Sequence, residues 1–320
     1  MTTTAPVRRV DHLGADQIAA VLALARAAGD ADGVYPLSEH VALHVRGGGE
    51  EPAVHLLVTE AGQLVGYAHV DTTDVVEGAS AELVVHPMYR RRGLGRALVT
   101  AVAQVAGQAG GGPLRLWAHG DHPSASALAL SMGFERSRVL WQMRRSLYAP
   151  VDAPVVPAGV TIRAFRPGQD DQEWVRVNAR AFADHPDQGR WRLADLRVRM
   201  AEPWFDPDGF LLAHRDGRLL GFHWTKVHGE IRPLHRPDGT GHVHDPIGEV
   251  YVLGVDPDAR GEHLGVALTL AGLRYLRGRG LDQAMLYVDE ANPRAVALYT
   301  GLGFARWSTD VSFRRVPPPA

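Results

Sequence analysis

Apolar positions along the chain follow two rhythms, and glycines or prolines mark most of the changes between them. Asp16–Ala28 sets alanine and leucine at helical spacing. His55–Thr59 and Leu64–Asp71 are apolar runs on either side of Ala61-Gly62, which reads as two strands and a turn. Ala81–Val85 predicts a further strand, Gly95–Ala106 a helix, Leu114–Ala118 a strand, and Ser124–Met132 a helix that stops at Gly133. The later part of the chain repeats this order. It gives helix Asp171–Phe182, strands Gly209–His214, Arg218–Lys226 and Val250–Val255, helix Gly265–Gly278, strand Gln283–Val288 and helix Pro293–Gly301. Each half therefore predicts an α+β fold with a mixed α/β sheet, antiparallel hairpins first and a strand–helix–strand unit after them.

The repetition is exact in spacing at several points. Pro87 and Pro257 stand 257 − 87 = 170 positions apart, and Arg90/Arg260, Gly95/Gly265, Leu98/Leu268, Gly133/Gly303 and Phe134/Phe304 keep that offset. Gly66 and Gly221 stand only 155 apart, so the second half carries 15 extra residues, expected in the histidine-, proline- and glycine-rich stretch Ile231–Pro246. Such self-similarity marks a duplicated unit. Ala149-Pro150-Val151-Asp152-Ala153-Pro154-Val155-Val156-Pro157 reads as an extended spacer between the copies. The expected division is thus 1–148, a linker 149–157, and 158–320, with a frayed tail from Val316.

Composition narrows the chemistry. The 320 residues are 45% hydrophobic and 22% charged, which suits two folded domains. There is no cysteine, which excludes disulfides, thiolate-held metals and a cysteine nucleophile. The formal charge of −2 argues against a nucleic-acid surface. No apolar run reaches the ~18–20 residues of a membrane span, and the N-terminal residues lack the pattern of a signal peptide. A cytosolic protein, monomeric, acting on a small molecule, is the expectation. All the basic residues but one are arginine; the exception, Lys226, stands out as a candidate site residue.

The candidate chemistry lies after the third predicted strand of each half, Ala81–Val85 and Val250–Val255. There Arg91-Arg92-Gly93-Leu94-Gly95-Arg96 and Arg260-Gly261-Glu262-His263-Leu264-Gly265-Val266 lead from a strand into a helix. Glycines let backbone N–H groups converge, and the helix N-terminus adds positive potential, so the loop suits a pyrophosphate. No Walker lysine follows, and the glycine spacing is not that of a dinucleotide fold. The loop, together with Asn292-Pro293-Arg294-Ala295-Val296-Ala297-Leu298-Tyr299-Thr300-Gly301-Leu302-Gly303-Phe304, resembles the GCN5-related N-acetyltransferases. Two such units fill nearly the whole chain. Tyr35-Pro36-Leu37-Ser38-Glu39, His185-Pro186-Asp187-Gln188-Gly189 and Gly221-Phe222-His223-Trp224-Thr225-Lys226 are similar to segments of tandem members that acetylate the cysteinyl amine of a cysteine–glucosamine–inositol conjugate.

The resemblance implies two tandem acyl-CoA N-acyltransferase domains, acetyl-CoA as co-substrate and no metal. It places acetyl-CoA against Leu83, Val84, Val85 and the first loop, and against Leu253, Gly254, Val255, the second loop and Asn292 to Ala297. It places the acceptor against Glu39, Asp187, Lys226, Glu249 and Tyr287, with Asp187 standing where a glutamate is expected, and sets the site at the domain interface. Glu249 becomes the expected base, Tyr299 the expected acid for the leaving thiolate, and the backbone near Leu253–Val255 the expected cradle of the carbonyl oxygen. By the offset of 170, Ala129 stands for Tyr299, His122 for Asn292 and Ala79 for Glu249, which assigns catalysis to the second half. His263 replaces Gly93 there, and a non-glycine at that point is expected to avoid positive φ. His235, His242, His244 and Asp245 read as a histidine-rich loop over the site rather than a metal centre, since no His-Glu-x-x-His occurs. A tandem acetyltransferase for another amine or a peptide N-terminus, and a non-catalytic acetyl-CoA-binding module, stay open at this point.

Overall fold

The computed structural model describes residues 6–46, 53–74, 78–183, 188–228 and 246–316. The chain forms two compact units, Met1–Leu140 with Ser308–Ala320, and Trp141–Trp307.

In the first unit, β1 (Val7–Val10), β2 (Ala53–Glu60), β3 (Gln63–Asp71), β4 (Ala79–Val85) and β5 (Leu114–Ala118) lie side by side in that order. All neighbours are antiparallel except β4 and β5, which are parallel and joined through helix α3 (Leu94–Gln108). Leu94, Leu98, Val99, Val102, Val105 and Ala106 recur at helical spacing on α3 and pack on one sheet face with Val58, Val65, Ala68 and Ala81. The alternate residues Leu57, Tyr67 and Val84 point the other way, against α1 (Ala15–Asp32) and α2 (Glu39–Val45). Helix α4 (Pro123–Ser131) follows β5.

The second unit repeats the plan with β7 (Thr161–Ala164), β8 (Phe210–Arg215), β9 (Arg218–His228), β10 (Ile247–Val255) and β11 (Gln283–Asp289), in the sheet order β11-β10-β9-β8-β7. Strand β6 (Glu135–Ser146), whose residues from Trp141 belong to this unit, neighbours β11. Helices α5 (Asp171–Ala181), α6 (Leu193–Met200), α7 (Leu264–Gly278) and α8 (Pro293–Gly301) complete it. The predicted helices and strands all occur. β1, α2, β6, β7, α6 and β12 (Ala305–Arg315) are elements the periodicity did not single out. Residues 229–245 lie outside the described residues, and with them all of the expected insertion Ile231–Pro246 except Pro246, including His235, His242, His244 and Asp245.

The compact units are drawn differently from the 149–157 boundary. Residues 149–157 form no regular element but pack into the second unit: Val151 is 5% exposed, and its carbonyl accepts from Arg274 Nη1 on α7 at 3.1 Å. At the other end, β12 leaves the second unit. Its residues Val311 to Arg315 pair antiparallel with Ala118 to Leu114 of β5. This ladder covers the backbone edge of β5, which would otherwise be unpaired.

Strand β12 also delivers a charge. Asp310 accepts from Gly120 N at 2.9 Å and binds His119 Nδ1 at 2.9 Å, while Glu82 Oε2 stands 3.5 Å from His119 Nε2 and accepts from Ser38 N at 2.5 Å. Burial opposes charge on His119, but the bonds to Asp310 and Glu82 and their charges prevail and push it up to about 10. Burial likewise opposes charge on Glu82, yet His119 and Ser38 hold its carboxyl below the usual range. Along the same rung of the sheet, His55 on β2 pairs with His69 on β3, and His69 with Glu82 on β4. Burial is the leading cause that lowers the two imidazoles, to about 4 for His55 and about 3 for His69.

Candidate active site

The second unit carries one feature that the first lacks. Along the β9–β10 ladder, Glu249 faces Lys226 and Val250 faces Thr225, but the next rung is Val252 with Trp224. Tyr251 is therefore an extra residue, a β-bulge in β10. The β3–β4 ladder runs from Gly66–Val85 to Asp71–Ser80 without a break. The bulge corrects the expected alignment: upstream of Tyr251 the halves differ by one residue less, so Glu249 occupies the rung of Ser80, not Ala79.

On its other side β10 pairs in parallel with β11 only at Gly248–Ala284 and Glu249–Met285. Asp256 N donates to Leu220 O on the β9 side, at 2.8 Å. Backbone groups alternate along a strand, so Leu253 and Val255 turn their N–H groups toward the side where the parallel ladder has ended. Gly254 between them has no room for a side chain: a Cβ there would lie 2.7 Å from Phe222 Cζ.

The loop after β10 is pinned at its start. Asp256, fully buried, receives Arg180 at 2.9 and 3.0 Å. Gly261 then takes φ 93 and His263 takes φ 59, and His263 caps α7. This corrects the expectation for His263, which does adopt the left-handed conformation, at a cost of roughly 1–2 kcal/mol for a residue with a Cβ. The first unit makes the opposite choice, with Arg91 at φ 66 and Gly93 at φ 85. Each loop thus has one glycine and one strained residue at the same two places. The first helical bond of α7 runs from Ala267 N to His263 O. The N–H groups of Leu264, Gly265 and Val266 precede it and are presented as donors. Arg260 has no side-chain partner among the described residues, whereas its counterpart Arg90 is clamped to Asp32 by two bonds of 2.7 Å. Beside the loop is a cavity of about 290 Å³ lined by Val155, Pro157, Glu262, His263, Val266 and Leu270. Glu262 is paired with Arg215. Asn292 caps α8 by accepting from Ala295 N at 3.1 Å, with Pro293 in its first turn.

The chemical groups gather at the other end of the bulge. Glu249 lies within β10, buried, rather than at a solvated strand edge, and His228 Nε2 binds its Oε2 at 2.6 Å. Burial raises its carboxyl, but the His228 bond and the charges of His228 and Lys226 outweigh it, and the net direction is down. Lys226, 7% exposed, holds its Nζ 4.6 Å from the Trp204 ring centre and 5.3 Å from that of Tyr251. Tyr299 is buried on α8, edge-on to Phe304 at 5.9 Å, and burial raises its phenol so that it keeps its proton. Tyr287 on β11 is 44% exposed and accepts from Gln142 Nε2 at 2.8 Å. Glu39 opens α2 in the first unit, and Asp187 lies outside the described residues. His228, Tyr251 and Trp204 were not among the expected site residues; the signal for His228 was its place two residues after Lys226 on the same strand face.

These features are those of an acyl-CoA transferase fold present twice. The model of the acetyltransferase (GNAT) family matches residues 25–134 and 174–304, and the chain belongs to that family. Among curated relatives, a mycothiol acetyltransferase of Salinispora arenicola is 59% identical over 98% of this chain and 97% of its own length. Another mycothiol acetyltransferase, from Acidothermus cellulolyticus, is 57% identical over 92% of this chain and 90% of its own. Among solved structures, a tandem GNAT protein from the clavulanic acid biosynthesis pathway shares the fold, with a TM-score of 0.72 at 21% identity over 98% of this chain and all of that one. A GCN5-related N-acetyltransferase from Sphaerobacter thermophilus has a TM-score of 0.68 at 25% identity, covering 99% and 98% of the two chains. No helix among the described residues is long and apolar enough to cross a membrane.

Proposed function

We propose that this chain is the acetyltransferase of mycothiol biosynthesis, moving acetyl from acetyl-CoA to the cysteinyl amine of a cysteine–glucosamine–inositol conjugate, with the second unit as the working one. The likeness to mycothiol acetyltransferases carries the acceptor. The bulge at Tyr251, with Glu249 beside it, carries the choice of unit. The N–H groups at the start of α7 and Arg260, which has no side-chain partner among the described residues, fit a pyrophosphate, and the apolar cavity beside them fits part of a large acyl carrier.

The residues then divide the work. Leu253 and Val255 donate N–H groups to the carbonyl oxygen as it gains charge. Glu249, ionised at neutral pH, attracts the acceptor's ammonium; the ammonium releases one proton to solvent to become the attacking amine, and Glu249 takes the second, directly or through water, as the nitrogen becomes acidic on attack. The C–N bond forms, the C–S bond breaks, and Tyr299, protonated, supplies the departing sulfur with its proton. Lys226 and Tyr287 are the expected contacts for acceptor hydroxyls, with Glu39 and Asp187 as the expected carboxylates.

The test is mass spectrometry of the acceptor after incubation with purified protein and acetyl-CoA. N-acetylation of the cysteinyl amine supports the proposal. An unmodified acceptor, with another amine acetylated in a panel of aminoglycosides and peptides, refutes the substrate; acetyl-CoA binding without any turnover refutes the activity.

A further inference from the structure

The bulge poses a mechanical problem. A bulged residue is not fixed by the ladder, yet the N–H groups two and four residues later depend on where it sits. Tyr251 is held by side chains instead. Arg199 Nε on α6 donates to its hydroxyl at 2.8 Å. Trp204 and Trp224 meet its ring edge to face at 5.2 and 5.4 Å, and Lys226 Nζ stands 5.3 Å from the ring centre.

Arg199 is the informative member. It is 4% exposed, stacks on Trp191 with Cζ 3.8 Å from the ring centre, and gives Nη1 to the carbonyl of Asp195 at 3.1 Å. Among the described residues it has no carboxylate partner. A buried guanidinium without a counter-ion is costly, and a second buried cation, Lys226, stands over the ring of Tyr251, whose hydroxyl Arg199 bonds. Stability alone favours an apolar residue at such a place. The first unit has neither the bulge nor the ring cluster: the rung of Trp224 and Val252 is filled there by His69 and Glu82.

We infer that Arg199 is a positioning residue for acetyl transfer: through its bond to Tyr251 it fixes the β10 bulge and so aims the Leu253 and Val255 N–H groups at the reacting carbonyl. This rests on the activity proposed above. Arg199 does not touch the reacting atoms. Its effect falls on the rate of the chemical step rather than on binding of either substrate.

The experiment is a double-mutant cycle of Arg199→Met and Tyr251→Phe, with acetyl-CoA and the acceptor. Each single change is expected to lower kcat about 10–100-fold, the order expected when a reacting group is misplaced by about an ångström. The acceptor KM and the acetyl-CoA Kd, by calorimetry, stay within about threefold. The double variant is expected to be no slower than the worse single one, because both remove one bond. Tyr251→Phe loses a single oxygen and keeps the ring, so it tests the idea even where Arg199→Met fails to fold. Amide hydrogen exchange at 251–255 is expected to speed up in Tyr251→Phe, whatever the substrate. Unchanged kcat, a loss confined to the acceptor KM, additive losses or unchanged exchange would each overturn the inference. An inactive wild type instead refutes the proposed activity, and the exchange measurement then still decides about Arg199.

Discussion

Replacing Asp310 by Asn changes one atom type at the far end of the chain and acts on the first unit. The side chain keeps its size and its oxygen toward Gly120 N, but the charge facing His119 is gone. His119 is then a buried imidazole with Glu82 alone, at 3.5 Å. Removing one partner of a buried ion pair costs about 3–5 kcal/mol. At ~2–4 °C per kcal/mol for a domain of this size, the melting temperature should fall by roughly 6–20 °C. The pH dependence is specific. His119 is raised on folding from 6.5 to about 10, so its stabilisation is complete below pH 6.5 and is lost as pH rises through about 10. Thermal melts of both proteins from pH 6.5 to 10, with hydrogen exchange read on β4 and β5, should therefore show a gap that narrows upward. A gap that is absent, or constant over that range, or exchange that rises only in the second unit, refutes the reasoning.

Four further outcomes follow from the site and core. Glu249→Gln and Tyr299→Phe should each lower kcat by about 10²-fold or more, and Arg91→Ala much less; equal losses in a steady-state assay would remove the assignment of the second unit as catalytic. Arg260→Ala should weaken acetyl-CoA binding by about tenfold in calorimetry with an unchanged melt, whereas Arg90→Ala, which breaks the Asp32 clamp, should mainly lower the melting temperature. Gly254→Ala should cost about 1–3 kcal/mol in denaturant unfolding, because the new methyl meets Phe222 at 2.7 Å. His55 and His69, depressed on folding to about 4 and 3, stabilise above pH 6.5 and lose that contribution as pH falls; the stability of wild type should decline by about 1.4 kcal/mol per pH unit per proton below 6.5, and less steeply in His69→Phe.

Much of this protein could be read along its sequence because its rhythms are strong. The apolar spacing on α3 and α7 and the offset shared by Pro87/Pro257 and Phe134/Phe304 give the elements and the doubling. Lys226 stands out by composition alone, and it does lie next to Glu249. What stayed hidden depends on partners far along the chain or on single torsions. The periodicity did not single out β12, and nothing local in it says that it pairs with β5, whose partnered residues lie almost two hundred positions earlier. The bulge is one residue in an offset measured across an insertion, so it vanishes into the larger change. The left-handed turn at His263 is disfavoured locally and is held by the loop around it.

The place of β12 also sets a timetable. On a ribosome adding about 5–20 residues per second, roughly 10–35 s separate the emergence of Leu140 from that of Arg315. Throughout that interval the newborn first unit has one edge of β5 open and His119 without Asp310. It must wait for the second unit to be made before its own last strand arrives. A stop codon a dozen residues short of the end would therefore injure the half of the protein synthesised first.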